Sequence, residues 1–252
     1  MKIELYGQPI VCRESEGRSL GTEVLFRMGG AGSDDRVSPD QYLKAMGGYA
    51  MPWFLDATVM GFLMAGDTAS VEGSLFINVC PETLVIETAF SAWLEGIREL
   101  CRRRGPGRVV VEIPEHCQMN IRFLLNRLGE IQQTGALLAL DDYPGGNLGA
   151  VHLKAFPWSF VKICLHACET KGKSLESVVR EVKRYRPEVA VIAERLPRHM
   201  AELAGQLGVA GFQSFDFGVP EALGLRPFHA RAAKRSDIDP TNCCVALASA
   251  AL

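Results

Sequence analysis

An α/β fold is predicted, specifically a (β/α)8 TIM-like barrel, and three observations predict it. Strand-like and helix-like segments alternate regularly from residue 108 to residue 215, the pattern of parallel βαβ units. The length, 252 residues with 48% hydrophobic composition, is that of one barrel with a full core. Three apolar runs each end on acids: Val109-Val110-Val111 on Glu112, Leu137-Leu138-Ala139-Leu140 on Asp141-Asp142, and Val189-Ala190-Val191-Ile192-Ala193 on Glu194. An open dinucleotide-binding sheet fits less well, because no GxGxxG follows an early strand.

In chain order, residues 3–11 and 20–28 read as two strands around a polar turn, so the first strand is expected to pair antiparallel with the second. A Gly/Ser/Asp-rich loop over 29–36 leads to Ser38-Pro39-Asp40, a helix start, with helical patterns at about 39–46 and 53–65. Val71 to Val79 is a strand. Phe90, Trp93, Leu94, Ile97, Leu100 and Cys101 share one face of the next helix, which closes on Arg102 to Arg104 and Gly105-Pro106-Gly107. Then follow strand 108–112, helix 118–132, strand 136–140, loop 141–151, strand 159–163, helix 174–186, strand 189–193, helix 198–207 and strand 210–215. The barrel domain is placed at 1–228. Residues 229–252 form a C-terminal tail, basic and then small and apolar, either packed or disordered.

A formal net charge of −2 gives no general attraction to nucleic acid polymers or anionic membranes. No apolar run is long enough for a membrane span and no signal-peptide pattern opens the chain. The eight cysteines show neither CxxC nor zinc spacing, as expected of a reduced, cytoplasmic protein. Cys164 and Cys168 read as core packing, Lys183-Arg184-Arg186 as a solvated helix face, and the histidines lack a shared ligand spacing.

On a barrel, strand C-termini face the catalytic rim. They deliver Asn78, Glu112, Asp141, Asp142, Lys162, Glu194 and Gln213 there, with Glu23 from the second strand. This oxygen-rich set suits Mg2+ or Mn2+ better than zinc. Adjacent Asp141 and Asp142 can bridge two ions, and ions roughly 3.5–4 Å apart clamp both oxygens of a phosphodiester displacement. A structure in which the oxygens of these acids point away from one another, or in which Lys162 occupies the ion positions as their permanent counter-charge, would end the case for hydrolysis. Singly, most of these residues have plainer readings: Glu23 as a surface acid, Asn78 as a turn-former, Asp141-Asp142 as a cap, Glu194 as a partner of Arg195 or Arg198.

The sequence resembles the EAL domains, bacterial phosphodiesterases specific for cyclic-di-GMP, over about residues 4–222. The matching segments are Tyr6-Gly7-Gln8-Pro9-Ile10-Val11, Thr22-Glu23-Val24-Leu25-Phe26-Arg27 (the signature, as EVL), Phe76-Ile77-Asn78-Val79, Glu112-Ile113-Pro114-Glu115, Leu140-Asp141-Asp142-Tyr143, Val161-Lys162-Ile163, Ala193-Glu194 and Phe212-Gln213. Each is short, and their shared order carries the match. The resemblance implies two Mg2+ or Mn2+ ions: Glu23, Asn78, Glu112 and Asp141 would hold the first, with Asp142 and Glu194 completing the second. Lys162 would orient the attacking water. Gln8, Arg27 and Gln213 would contact the cyclic dinucleotide, and Glu115 would anchor the loop after Asp142. The implied reaction opens cyclic-di-GMP to linear pGpG, with catalysis resting on Lys162, Glu194 and Glu23.

The chain departs from the family's DDFGTGYSS with Asp141-Asp142-Tyr143-Pro144-Gly145-Gly146-Asn147-Leu148-Gly149, and Cys164 stands where an aspartate is usual. In the family this loop couples metal binding to dimerisation, so a homodimer stays open, as does a partner protein acting in trans. Two alternatives also stay open: a degenerate domain that binds cyclic-di-GMP or a protein without cleaving, and an unrelated metal-using barrel enzyme.

Overall fold

The computed structural model describes residues 2–13, 19–29, 36–37, 41, 52–117, 119–146 and 149–225. The helix expected at 39–46 lies outside them apart from Gln41, and so does the tail from 229 to 252.

Ten strands form one sheet among the described residues: β1 (Lys2–Cys12), β2 (Ser19–Gly29), β3 (Arg36–Val37), β4 (Ser74–Asn78), β5 (Val109–Pro114), β6 (Leu137–Tyr143), β7 (Phe160–Cys164), β8 (Ala190–Glu194), β9 (Gly211–Gln213) and β10 (Glu221–Ala222). Strands β2 and β4 to β9 run parallel in sequence order. The long β1 lies antiparallel to both β2 and β9 and closes the ring into an eight-stranded barrel, as the hairpin reading expected. Two-residue β3 and β10 flank it.

The helices are α1 (Pro52–Ala65), α2 (Pro81–Val85), α3 (Glu87–Arg104), α4 (Ile121–Gln133), α5 (Gly149–Ala155), α6 (Leu165–Thr170), α7 (Leu175–Tyr185) and α8 (Ala201–Gln206). In α3 the buried set is the six residues that the spacing put on one face, and Gly105 caps it at a positive φ of 92°, where a Cβ would be strained. Asn120 and Ser174 cap α4 and α7 by accepting backbone N–H groups. Three boundaries differ from expectation. β6 runs on through both aspartates to Tyr143, the loop beyond contains α5, and the one-and-a-half-turn α6 follows β7 directly. Short helices carry too few residues to show a 3.6-residue period, so the sequence conceals them. The basic group on α7 is also more than a solvated face. Lys183 donates to the carbonyls of Pro187 and Val189, and Arg186 to those of Leu153 and Lys154, tying the helix end to its neighbours.

Period-2 alternation sorts every barrel strand into two faces. Outward side chains meet the helices in the main apolar core. Inward, Ile10, Phe76, Val110, Ala139 and Ile192 form a separate plug, with Phe76 and Phe160 edge-to-face at 5.3 Å. Two residues beyond the plug on the same faces stand Asn78, Glu112, Asp141, Lys162 and Glu194. The plug is therefore the floor under the polar rim.

Behind it, α1 carries one buried acid. Asp56 accepts from the Cys80 N–H at 2.7 Å and the Thr83 hydroxyl at 2.5 Å, holding the chain just after Asn78. Burial lifts its pKa from 3.8 to about 6. A carboxyl raised on folding stabilises the fold most below its unfolded pKa, and that contribution is lost as pH rises through the folded one. Wild type should therefore lose urea resistance relative to Asp56→Asn between about pH 4 and about pH 6.5. A constant gap between the two midpoints would refute this. Phe76→Ala, which empties the barrel floor, should cost about 3–5 kcal/mol in the same urea titration with an unchanged slope.

Candidate functional site

Each rim residue reaches its place by strand register. Asn78 pairs with Glu112 across β4 and β5, Cys164 with Glu194 across β7 and β8, Glu194 with Gln213 across β8 and β9, and Gln8 with Glu23 across the antiparallel hairpin. Asp141 and Asp142 are consecutive, so alternation alone would send them to opposite faces. An irregularity in the β6–β7 register between Leu140 and Tyr143 and a positive φ of 53° at Asp142 change that. Asp142 is thereby brought within reach of the inward-facing Cys164 and Glu194.

The centre of the rim is Lys162. Its Nζ lies 2.6 Å from Glu112, 2.8 Å from Glu194, 3.0 Å from Asp141 and 3.4 Å from Glu23, while the side chain is 1% exposed. Glu23 also accepts from the Asn78 amide at 2.9 Å and from the Gln213 amide. Gln213 in turn donates to Gln8 at 3.4 Å, and Gln8 donates to the Gly218 carbonyl. Half-buried Arg27 sits two inward positions beyond Glu23 on β2 and donates to the Phe26 carbonyl. Of the alternatives for Glu194, pairing with Arg198 is not what is found, since Arg198 bonds to Asp216.

The electrostatics are those of an over-charged pocket. Burial works against the Lys162 ammonium, but Asp141, Glu112, Glu194 and Glu23 outweigh it and hold its pKa well above the ordinary lysine value. Burial and the like charges drive Glu112 and Asp141 up, and Glu194 to about 8, whereas Lys162, Gln213 and Asn78 more than offset burial for Glu23 and hold it down. One ammonium cannot neutralise Glu23, Glu112, Asp141, Asp142 and Glu194 together. Moreover, Glu112 is wholly buried, and its Oε2 has no hydrogen-bond partner among the described residues. A buried carboxylate oxygen left this way costs free energy that a cation would recover. Among Glu23, Asn78, Glu112, Asp141, Asp142 and Glu194 the rim thus offers an oxygen-rich donor set that could hold divalent ions.

The loop after Asp142 is pinned from two sides. A Cβ on Gly146 would come within 2.5 Å of Glu115 Oε2, so buried Glu115 lies directly against this loop. Lys171 donates to the Gly146 carbonyl at 2.7 Å, and Gly145 N–H closes a turn onto Asp142 at the same distance. The Tyr143–Pro144 peptide is cis. Lys171 and Asp56 both hold site segments and escaped sequence reading, since each is a single polar residue in an unremarkable helical context.

These features agree with what the chain matches. Residues 1–213 fit the sequence profile of the EAL domain. The chain belongs to the EAL-domain family. An uncharacterised protein of Synechocystis sp. is 28% identical over 165 residues, a match that covers 63% of this chain and 23% of that relative. This chain thus corresponds to about a quarter of it. Among solved structures, the PaMucR phosphodiesterase in complex with c-di-GMP superimposes with a TM-score of 0.71 at 18% identity, covering 86% of this chain and 91% of that one. The Bacillus subtilis YkuI protein, with an EAL domain and in complex with c-di-GMP and calcium, gives 0.68 at 20% identity over 89% and 56%. Klebsiella pneumoniae BlrP1, in a manganese and c-di-GMP complex, gives 0.68 at 22% over 88% and 57%. At these identities the superpositions establish the barrel as an EAL-type fold. No helix among the described residues is long and apolar enough to cross a membrane.

Replacing Lys162 by Met should leave four carboxylates without their shared partner and cost about 3–5 kcal/mol in chelator, by the rule for breaking buried pairs. Mg2+ or Mn2+ should restore part of that loss in a thermal melt. A variant as stable as wild type in chelator would show that the lysine does not neutralise the rim.

Proposed function

We propose that this EAL domain is a divalent-ion-dependent phosphodiesterase that opens cyclic-di-GMP to linear pGpG. One observation carries the reading: four carboxylates converge around a single lysine on the C-terminal rim of the barrel, with Asp142 beside Glu194 and a wholly buried Glu112 oxygen that has no partner among the described residues. The family, and neighbours solved with c-di-GMP and with manganese or calcium, support both the substrate and the ions.

When bound, Mg2+ or Mn2+ would supply charge neutralisation and the clamping of attacking and leaving oxygens. The residues of the chain do the rest. Glu23, Asn78, Glu112 and Asp141 hold one ion position, while Asp142 and Glu194 complete the other. Lys162 carries a protonated amine at the pocket centre, and once bound ions take over its carboxylate partners it would be free to orient a water by donating to its oxygen. Arg27, beyond Glu23 on the same face of β2, offers the planar fork that matches a phosphate. Gln8 and Gln213 present amides beside Glu23 for the guanine or phosphate edge. Glu115 supports the loop that carries Asp142.

The fourfold pairing of Lys162 favours a second reading: a domain that binds cyclic-di-GMP without cleaving it, with the lysine as standing counter-charge. Labelled cyclic-di-GMP incubated with the full chain and Mn2+ separates the two. The phosphodiesterase reading expects pGpG by chromatography, lost on chelation and reduced to background in Glu23→Ala. Intact substrate with wild type, together with calorimetric binding that survives chelation, would establish the receptor instead.

A further inference from the structure

Beside Asp142 and Glu194 stands a third group of a different chemical kind. The Sγ of Cys164 and carboxylate oxygens of Asp142 and Glu194 all lie within 4.8 Å of one another. They come from the ends of the adjacent parallel strands β6, β7 and β8. Cys101, Cys117 and Cys168 are buried within the main apolar core, but Cys164, also buried, belongs to neither apolar cluster. It occupies the inward run Phe160, Lys162, Cys164, above the barrel floor and among the acids. A thiol there is badly placed as a core hydrophobe and well placed as a ligand. Glu112, wholly buried and with its Oε2 unpartnered among the described residues, shares Lys162 with Glu194 through its other oxygen.

We propose that Cys164 directly ligates a divalent ion together with Asp142 and Glu194, forming a mixed sulfur–oxygen position that takes Zn2+ or Co2+ in preference to Mg2+. Mg2+ demands hard oxygen ligands in an octahedron, whereas thiolate sulfur selects softer ions. Three protein ligands with a fourth place open is also the coordination pattern of catalytic rather than structural zinc sites. As the S–metal bond forms, the thiol proton leaves to solvent, and the ion's charge offsets what burial denies the bare thiolate. This inference deepens the reading of the rim as an ion centre and rests on it. It also makes the chain's departure from the usual aspartate a change of metal preference rather than a loss of the site.

The test uses the full chain, stripped by chelator and reloaded. Co2+ should produce a sulfur-to-cobalt charge-transfer absorption that vanishes in Cys164→Ser and persists in Cys168→Ser. Zn2+ at about 100 times its Kd should slow alkylation of Cys164, followed by peptide mass mapping, about 100-fold, the ratio set by the fraction of unoccupied site. Glu194→Gln should abolish that protection. Cys164→Asp should abolish the absorption and bind Mg2+ more tightly than wild type does. Equal alkylation with and without Zn2+, or no absorption from the Co2+-loaded wild type, overturns the proposal, and both readouts stand even if Cys164→Ser fails to fold. Turnover with Mn2+ beside an unprotected Cys164 would sink this inference and spare the phosphodiesterase. Protection without turnover by any ion would do the reverse.

Discussion

The structure hangs on the burial of a single ammonium among more carboxylates than it can neutralise. Lys162 sits at the end of an inward-facing strand position with four acids within 3.4 Å. Desolvating that many charges is unfavourable unless they are paired, and the pairing is incomplete. Such an arrangement wastes stability in an inert protein. It is useful where cations are to be captured, because the protein's own excess of negative charge becomes affinity. The same lysine gives the pocket a resting state in which most of the acids have a partner, so the site can fold before any ion arrives.

The barrel is what makes this crowding possible. Each strand is a short ruler on which the plug residue and the rim residue are two positions apart, and the parallel register aligns those rulers around the ring. Phe76, Val110, Ala139 and Ile192 form the dry floor, and the acids stand one pleat above it. Antiparallel β1 closes the circle and brings Gln8 beside Glu23. Without closure, Glu23 and Gln213, which are 190 residues apart in the chain, would have no reason to meet.

Divergence is concentrated where it bears on ions. The loop after Asp142 has lost the family's hydroxyl residues, yet it is held by Glu115, Lys171 and a tight turn on Asp142. Constraint there has been rebuilt from other residues. Cys164 puts sulfur within 4.8 Å of carboxylate oxygens of Asp142 and Glu194. Both changes lie beside Asp142, on the β6–β8 side of the rim.

The barrel, the antiparallel opening hairpin and the gathering of acids at one rim were legible in the order of residues alone. Those follow from local causes: apolar period, turn residues and the rule that strand C-termini share a face. The family motifs named the same residues. The different directions taken by Asp141 and Asp142 were not legible there, because they depend on the irregular β6–β7 register between Leu140 and Tyr143 and on the left-handed backbone at Asp142. Cys164 likewise stands outside both apolar clusters and beside Asp142 and Glu194, and Lys162 is shared fourfold. Short helices such as α5 and α6, and lone anchors such as Asp56 and Lys171, were invisible for the same reason. Their partners lie far along the chain, and a contact between distant residues leaves no period in the sequence.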